Sequence, residues 1–453
     1  MDERLPGYKG LALKLLLDAG AEIGDLVRII KDDVVLEGIL IPRSEYGDER
    51  HITIKIRSGY NIGVEVTPST RIERVSPETK PAFIPPQPPE QKPGLPKVSI
   101  LGTGGTIASR VDYRTGAVRP VMSASELYSI VPELADIAVI ETEMLFNILS
   151  EDMTPKYWSI MAEAVARHIR SGVQGVVIAH GTDTMGYSAA ALSFALQNLP
   201  VPVILVGAQR SGDRPSSDAA LNLIGAVTAA SRAPFAEVSV AMHETTSDES
   251  IILHRGTKVR KCHTSRRDAF KTINATPLAR VIGDKIFMLT DEYRPRDSNR
   301  ELILKPNFDE RAALIKFYPG IRPELIDWLV SGGYRGIVLE GTGLGHVCRE
   351  CFPAIKRAID RGVVIAMASQ CIWGRVNMNV YSTGRDLLAM GVVPLGDMLP
   401  ETALVKMMWC LAQTSDPEEV KRLLLTNVAG EISQRTVEYI EPPKTVVGRA
   451  DGN

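Results

Sequence analysis

The sequence has few cysteines, almost no net charge and no long apolar run, and each of these absences excludes a class of protein. Five cysteines in 453 residues are too few and too scattered for a disulfide scaffold, which favours a reducing compartment. Lys and Arg number 52 against 54 Asp and Glu, so the net charge of −2 excludes a polybasic nucleic-acid binder and an acidic tail protein. No apolar run approaches the roughly 18 residues that cross a bilayer. The charged start, MDERLPGYKG, has no apolar segment of the kind that a secretory signal carries. We therefore expect a cytoplasmic protein with no membrane association.

One segment divides the chain by its proline content. Eight of the 29 prolines lie within 77–96, a density that favours extended polyproline II structure and excludes helix and inner strand. We expect this segment to be a semi-rigid linker that follows a small domain, 1–76. In that domain the helical pattern GLALKLLLDAG precedes several short β-branched runs, which are typical of a small barrel of the SH3 or Sm type. Its thirteen acidic and eleven basic residues give no electrostatic footprint for phosphates.

After the linker, continuous apolar runs alternate with helical patterns, which indicates parallel α/β sheets. One set of runs and helices fills residues 97–290, and a second set fills 311–438. The polar, proline-containing segment 291–310 is expected to join the two lobes, and 439–453 is expected to be a tail. The sequence therefore predicts an α/β fold, in which two α/β lobes are preceded by a small β-barrel-like N-terminal domain.

Unusual polar motifs follow three apolar runs of the first lobe. They are GTGGT after Leu101, HGTDT after Ala179 and GAQRS after Val206. Ligands of open α/β sheets bind beyond the carboxyl ends of the strands, so we expect the motifs to meet in one site. The first motif has neither Walker A nor dinucleotide spacing and is equally compatible with a tight turn. In the second, a threonine beside a carboxylate is either an activated hydroxyl with its orienting acid or a helix N-cap.

Two further groups of residues allow both a functional and a structural interpretation. The basic segment 254–271, HRGTKVRKCHTSRRDAFK, is typical of a solvated face, yet one of its lysines could reach the site and act as a base or relay. Cys348 and Cys351 form a CxxC pair, but zinc would need two more ligands and the sequence has no second pair. We favour two cysteines at a helix start, and we expect no metal and no cofactor in this chain.

Four strings, ILGTGGTIAS, HGTDTM, VGAQRSGDRPSSDAALNL and VRKCHTSRRDAF, together resemble the bacterial-type L-asparaginase family. The resemblance runs from about Lys97 to near Asn427 and includes the GTGLGHV loop of the second lobe. It implies two asparaginase-like α/β lobes and hydrolysis of a side-chain amide. The extra N-terminal domain and the linker are not usual in plain asparaginases. With them, the chain resembles the archaeal amidotransferase branch of the family.

The resemblance implies catalytic roles for four residues. Thr106, in GGTIA, corresponds to the nucleophile of the family. Thr182 and Asp183, in HGTDT, correspond with Lys261 to a second, cooperating triad. A threonine hydroxyl is a weak nucleophile that needs a partner to take its proton, and a lysine held by a carboxylate can supply that partner.

The resemblance also implies a substrate-binding set. Ser150, in LSEDM, corresponds to the residue that binds the substrate α-carboxylate, and Glu151 stands where the family usually has glutamine. Tyr113, in SRVDYRTG, corresponds to the lid tyrosine. A carboxylate that free asparaginases take from the second lobe of a neighbouring protomer has no counterpart around 374–379. That departure suits an enzyme whose activity is conditional.

This branch of the family implies the ammonia-releasing component of a tRNA-dependent amidotransferase, which uses Asn or Gln and serves the conversion of Glu-tRNA(Gln) to Gln-tRNA(Gln). ATP and Mg²⁺ are expected in an ATP-using, tRNA-binding partner, the E-type protein of the archaeal amidotransferase, because nothing in this sequence resembles an ATP site. The resemblance further implies a homodimer within a heterotetramer. The alternatives are a free-standing L-asparaginase with an accessory domain and a catalytically idle α/β binding protein. The N-terminal domain and linker argue against the first, and the intact catalytic residues argue against the second.

Overall fold

The computed structural model describes residues 4–43, 47–56, 61–75, 92, 94–104, 131–210 and 217–436, with the backbone alone of two short strands between 109 and 120. The chain divides into two compact units. The first comprises Met1–Lys271 and Leu278–Phe308, and the second comprises Thr272–Pro277 and the chain from Asp309 onward. Most of the expected proline-rich linker and the whole of the expected tail lie outside the described residues.

The N-terminal part is a helix followed by a five-stranded antiparallel sheet. Its elements are α1 Gly10–Asp18, β1 Leu26–Lys31, β2 Val34–Leu40, β3 His51–Lys55, β4 Asn61–Glu65 and β5 Arg71–Arg74. The strand order is β4-β3-β2-β1-β5. Side chains on β1 alternate between the two faces, so Val27 and Ile29 are buried with Leu16 of α1 in one apolar core. Gly20 follows the helix at φ +61, the left-handed conformation that stops a helix where the sequence predicted a stop.

The first lobe contains a large mixed sheet and several short strand pairs. Its helices are α2 Pro155–Arg170, α3 Met185–Ala195 and α4 Ala219–Arg232, with 3₁₀ turns at Pro132–Asp136 and Ser150–Asp152. Its strands are β6 Lys97–Gly102, β7 Ser109–Val111, β8 Val118–Pro120, β9 Val139–Met144, β10 Gly175–Ala179, β11 Leu196–Gln197, β12 Val203–Val206, β13 Val238–His243, β14 Ile251–Arg255, β15 Val259–Lys261, β16 Phe270–Thr272, β17 Ala279–Ile282, β18 Lys285–Met288 and β19 Ile303–Leu304. The eight-stranded sheet has the order β18-β17-β14-β13-β12-β10-β6-β9.

The expectation of a parallel sheet holds for only part of this sheet. Strands β9, β6, β10, β12 and β13 pair in parallel, whereas β14, β17 and β18 are antiparallel to their neighbours. The chain between β13 and β14 is a short loop, and a two-residue turn joins β17 to β18. Such short connections cannot make the crossover that a parallel pair needs, so β14 must run opposite to β13 and β18 opposite to β17.

The second lobe is a smaller, wholly parallel sheet with helices. Its strands are β20 Ala312–Lys316, β21 Gly336–Gly341, β22 Val364–Ser369 and β23 Val393–Pro394. Its helices are α5 Glu324–Ser331, α6 Phe352–Asp360, α7 Ser382–Met390, α8 Pro400–Gln413 and α9 Pro417–Leu425, with a 3₁₀ turn at Arg349–Cys351. The strands pair in sequence order, and β21 and most of β22 are buried, as expected for a sheet covered on both faces. The predicted fold class is therefore confirmed.

None of the helices in the described part of the chain combines the length and the hydropathy that a membrane span requires.

Candidate active site

Three neighbouring strands of the first lobe, β6, β10 and β12, end at one level of the sheet. Ala179, the last residue of β10, pairs in register with Gly102 of β6 and Val206 of β12. Beyond this level the N–H and the hydroxyl of Thr103 both donate to the Ala179 carbonyl, at 3.1 and 2.9 Å. The N–H of His180 donates to the Val206 carbonyl at 2.9 Å. The three sequence motifs thus begin side by side, as the pattern of strands and turns predicts.

Lys261 connects the second motif to the basic segment. It is the last residue of β15, and its Nζ lies 2.9 Å from Thr182 Oγ1 and 2.7 Å from Asp183 Oδ1. The Lys261 side chain is only 15% exposed, whereas that of Asp183 is 65% exposed. The ammonium therefore donates to a hydroxyl on its sheltered side and to a carboxylate on its solvent side. If the amine loses its proton, the same nitrogen faces the Thr182 hydroxyl at hydrogen-bond distance and can take a proton from it.

The N-cap interpretation of the HGTDT motif does not describe this geometry. The N-cap residue of α3 is Thr184, and its side chain makes no capping bond to the helix. Its hydroxyl donates instead to the Ser150 carbonyl at 2.6 Å. Thr182 and Asp183 precede the cap, and their side chains meet Lys261. The start of α3 therefore positions the motif, and the side chains of Thr182 and Asp183 do not cap the helix.

Ser150 lies directly against the turn that carries this motif. It begins the 3₁₀ turn after β9 and is 7% exposed. A β carbon added to Gly181 would lie 2.7 Å from Ser150 Cβ and 3.0 Å from its Oγ, so the serine side chain packs against a backbone that only glycine permits. The adjacent side chain of Glu151 is exposed. The structure thus brings Ser150 next to the HGTDT turn and leaves Glu151 facing solvent.

The glycine-rich turn after β6 is described only as far as Gly104. That residue has φ +108, and a β carbon there would lie 2.2 Å from the Ile148 carbonyl oxygen. Both the left-handed conformation and the close backbone approach require glycine. Thr106, the expected nucleophile, and Tyr113, the expected lid residue, lie outside the described residues.

His180, the first residue of the HGTDT motif, is a buried histidine with a lowered pKa. It is 1% exposed, and its Nδ1 lies 2.6 Å from the Gly181 carbonyl oxygen, which fixes that nitrogen as the donor. Burial lowers its pKa to about 4, against a small opposing effect of that backbone hydrogen bond. The ring is therefore neutral and tautomer-fixed at physiological pH.

The basic segment differs from the expected solvated face, whereas the CxxC pair lies at a helix start, as expected. Within 254–271, His254 and Lys258 are buried, so the segment is not a uniformly solvated face. Cys348 and Cys351 flank the 3₁₀ turn before α6, with their sulfurs 3.4 Å apart, and burial raises the pKa of the Cys351 thiol to about 12. In the part of the chain that the structure describes, no cluster of three or more His, Cys, Asp or Glu side chains could hold a metal ion.

Sequence reasoning missed a buried polar group behind the site. Asp218, just before α4, and Asn222, on that helix, are fully buried and hold the backbone of the loop after β12. Both residues belong to the string GDRPSSDAALNL, which carries part of the family resemblance, but the resemblance implies no role for either of them. The signal available in the sequence was an acid and an amide four residues apart on a helix that is otherwise small and apolar.

Sequence models of three known domains match the chain. Residues 21–75 match the GatD N-terminal domain, residues 97–294 the N-terminal asparaginase domain and residues 311–424 the glutaminase/asparaginase C-terminal domain. Among solved structures, the thermostable L-asparaginase from Thermococcus kodakarensis superposes with a TM-score of 0.67 at 35% identity, over 75% of this chain and 100% of that one. L-asparaginase I from Vibrio cholerae gives a TM-score of 0.64 at 30% identity, over 75% and 99%.

Curated relatives match nearly the whole chain. The D-type component of glutamyl-tRNA(Gln) amidotransferase, GatD, from Methanothermobacter thermautotrophicus is 54% identical over 430 residues, which cover 95% of this chain and 98% of that protein. GatD from Pyrococcus furiosus is 54% identical over 429 residues, which cover 93% and 98%. The similarity to the GatD relatives therefore extends over more of this chain than the similarity to the L-asparaginase structures, which covers 75% of it.

Proposed function

This chain belongs to the GatD family of glutamyl-tRNA(Gln) amidotransferases, and we propose that it releases ammonia from an amide for the conversion of Glu-tRNA(Gln) to Gln-tRNA(Gln). The chain is an asparaginase-type amidohydrolase component of a tRNA-dependent ligase complex. Its length and its N-terminal domain agree with the GatD relatives rather than with a free-standing asparaginase. We further propose that asparagine or glutamine is the amide donor.

The observation that carries the chemistry is the contact of Lys261 with both Thr182 and Asp183. Three polar side chains from segments about 80 residues apart converge beyond the carboxyl ends of parallel strands. The lysine is sheltered and held by hydrogen bonds on two sides. This arrangement supplies what a hydroxyl nucleophile lacks, which is a positioned group that accepts its proton.

We propose the following sequence of bond changes. The Thr106 hydroxyl attacks the amide carbon while its proton passes to Lys261 through the Thr182 hydroxyl. The C–N bond then breaks, the nitrogen takes that proton and leaves as ammonia, and an ester remains on the threonine. Water hydrolyses the ester and releases aspartate or glutamate. Backbone N–H groups of the glycine-rich turn would stabilise the oxyanion in both steps.

The complex divides the overall reaction between two kinds of protein. We propose that the partner protein binds ATP, Mg²⁺ and the tRNA, and that this chain contributes no cofactor. The sequence has a net charge of −2 and no basic excess in its N-terminal domain, so we expect weak tRNA binding by this chain alone. We also propose a homodimer of this chain within a heterotetramer, and a cytoplasmic location, which fits a role in supplying charged tRNA.

Assembly is expected to raise amide hydrolysis by at least about tenfold, which corresponds to about 1.4 kcal/mol in the activation barrier. An unregulated amidase would waste cellular asparagine or glutamine, so the site should become competent only in the complex. The measurement is steady-state ammonia release by the purified chain alone, with the partner protein, and with the partner plus Glu-tRNA(Gln). A fast asparaginase that neither addition stimulates would contradict the amidotransferase assignment and favour a free-standing enzyme.

Ser150→Ala is expected to raise KM for the amide donor by about tenfold and to change kcat little. The hydroxyl is expected to bind the substrate α-carboxylate in the ground state and the transition state alike, and hydrogen bonds to charged groups contribute about 1.5–3 kcal/mol. Initial-rate kinetics on the assembled enzyme separate the two constants. Ser171→Ala, at the exposed end of α2, is the matched control. A loss confined to kcat would instead place Ser150 in the chemical step.

A further inference from the structure

Gly207 forms a wall against the side chain of Thr182. It is the first residue after β12, and a β carbon added there would lie 2.8 Å from Thr182 Cγ2 and 2.8 Å from the His180 carbonyl oxygen. The carbonyl of Gly207 accepts a hydrogen bond of 2.9 Å from Asn222 Nδ2, on the buried face of α4. The side chain of Asn222 therefore sets how closely this wall approaches the Thr182 methyl group.

The other partners of Asn222 fix the orientation of its amide. Nδ2 also lies 3.0 Å from Asp218 Oδ2, so this nitrogen faces a carbonyl and a carboxylate, neither of which can donate. Oδ1 must then face His243, whose Nδ1 lies 2.6 Å away and donates to it. Asp218, Asn222 and His243 are all fully buried. Reversal of the amide would place the Asn222 oxygen against the Gly207 carbonyl and the Asp218 carboxylate, and the amide nitrogen against the donor of His243. These repulsive contacts would lie in a site that water does not reach.

His243 connects this buried group to the segment that carries Lys261. Its Nε2 lies 3.0 Å from Asp248 Oδ1, which also accepts from Arg267 at 2.7 Å. Arg267 lies in the turn between β15, which ends at Lys261, and β16. One end of this hydrogen-bonded group, Asn222, holds the Gly207 carbonyl beside Thr182. The other end, Asp248, holds Arg267 in the turn that follows Lys261.

We propose that Asn222 and His243 are positioning residues that hold Thr182 at hydrogen-bond distance from Lys261 by fixing the Gly207 wall. The inference rests on the proposed amide hydrolysis, in which the Thr182 hydroxyl relays a proton to Lys261. Neither residue touches that hydroxyl. His243 orients the Asn222 amide, the amide holds the Gly207 carbonyl, and the glycine restricts the threonine rotamer. Proton transfer depends steeply on such geometry, so loosening the wall slows the chemical step and leaves substrate affinity intact.

His243→Leu tests this proposal by removing the donor to Asn222 without touching the site. In the assembled enzyme, we expect kcat for ammonia release to fall about tenfold and KM to stay within about twofold. The matched control is His254→Leu, another buried histidine on the adjacent strand β14. We expect it to keep the wild-type kcat at a comparable loss of stability. An unchanged kcat in His243→Leu, or an equal loss in His254→Leu, would overturn the proposal.

Two amide variants keep the test valid if His243→Leu fails to fold. Asparagine at this position places a donor near the Nδ1 site, whereas glutamine places one near the Nε2 site. We expect His243→Asn to retain most of the wild-type kcat and His243→Gln to show the loss. The reverse order would overturn the proposal. Wild-type enzyme that releases no ammonia would refute the proposed function itself. Active wild-type enzyme, with His243 variants of the same kcat as the wild type, would refute only the positioning role.

Discussion

Lys261→Met is expected to lower ammonia release by the assembled enzyme by about a thousandfold while the protein stays folded. Methionine keeps much of the length of the lysine stem but cannot exchange a proton, and positioned acid–base groups contribute about 10²–10⁴-fold to rate. The Thr182 hydroxyl would then lack the lysine nitrogen that now lies 2.9 Å away. Single-turnover ammonia release, with unfolding measured in parallel, gives the result.

The control for this prediction is Lys285→Met, an exposed lysine on the edge strand β18 of the same lobe. Lys285→Met should release ammonia at the wild-type rate. Thr106→Ala should be as inactive as Lys261→Met, and the double variant should be little worse, because residues that act as one unit are not additive. Wild-type turnover in Lys261→Met would remove the lysine from the proton path. Multiplicative losses in the double variant would show that the two residues act independently.

Lys406→Met is expected to lower the free energy of unfolding by about 3–5 kcal/mol, the range for breaking a buried ion pair. Lys406, on α8, and Glu431 are both 0% exposed at the side chain. The ammonium also donates to the carbonyls of Leu424 and Thr426, at 2.8 and 2.6 Å, and so holds the end of α9. Its loss would leave the buried Glu431 carboxylate without its counter-charge and would remove the donor to the Leu424 and Thr426 carbonyls. Urea-induced unfolding measures the change.

An exposed ion pair nearby supplies the comparison. Lys421 contacts Glu418 at 2.7 Å on the surface of α9, and the glutamate side chain is 77% exposed. Lys421→Met should change the free energy of unfolding by less than about 1 kcal/mol, because water and salt screen such pairs. Lys406→Met combined with Glu431→Gln should recover part of the single-variant loss, since the amide carries no charge. Equal effects of Lys406→Met and Lys421→Met would contradict the importance of burial.

The parts of the fold that local patterns determine could be predicted from the sequence. Apolar runs such as GVVIA before the HGTDT motif predicted buried strands, and Gly20 predicted the end of α1. The edge strand β5, Arg71–Arg74, was not predicted, because four residues with a single apolar side chain show no alternating apolar pattern. The reversed directions of β14 and β18 were also missed, because they depend on the length of the preceding connection rather than on composition.

The candidate site shows the same division between local and distant information. Glycine-rich turns at strand ends predicted where the site would be, but nothing in the local pattern pairs Lys261 with Thr182, 79 residues away. The family resemblance supplied that pairing, and the structure places the two side chains in contact. The hydrogen bond from Asn222 to Gly207 could not be predicted from the sequence. It depends on how one face of α4 packs against the end of β12 and against His243 on β13.

Transfer of ¹⁵N from amide-labelled asparagine or glutamine into glutaminyl-tRNA tests the central claim most directly. The assembled enzyme, with ATP and Glu-tRNA(Gln), should place the label in the new amide. The complex that carries Lys261→Met should not, but it should form labelled product when ¹⁵N-ammonium is added, because the partner remains intact. Label transfer by the Lys261→Met complex from the amide donor, or wild-type product without amide label, would contradict the account.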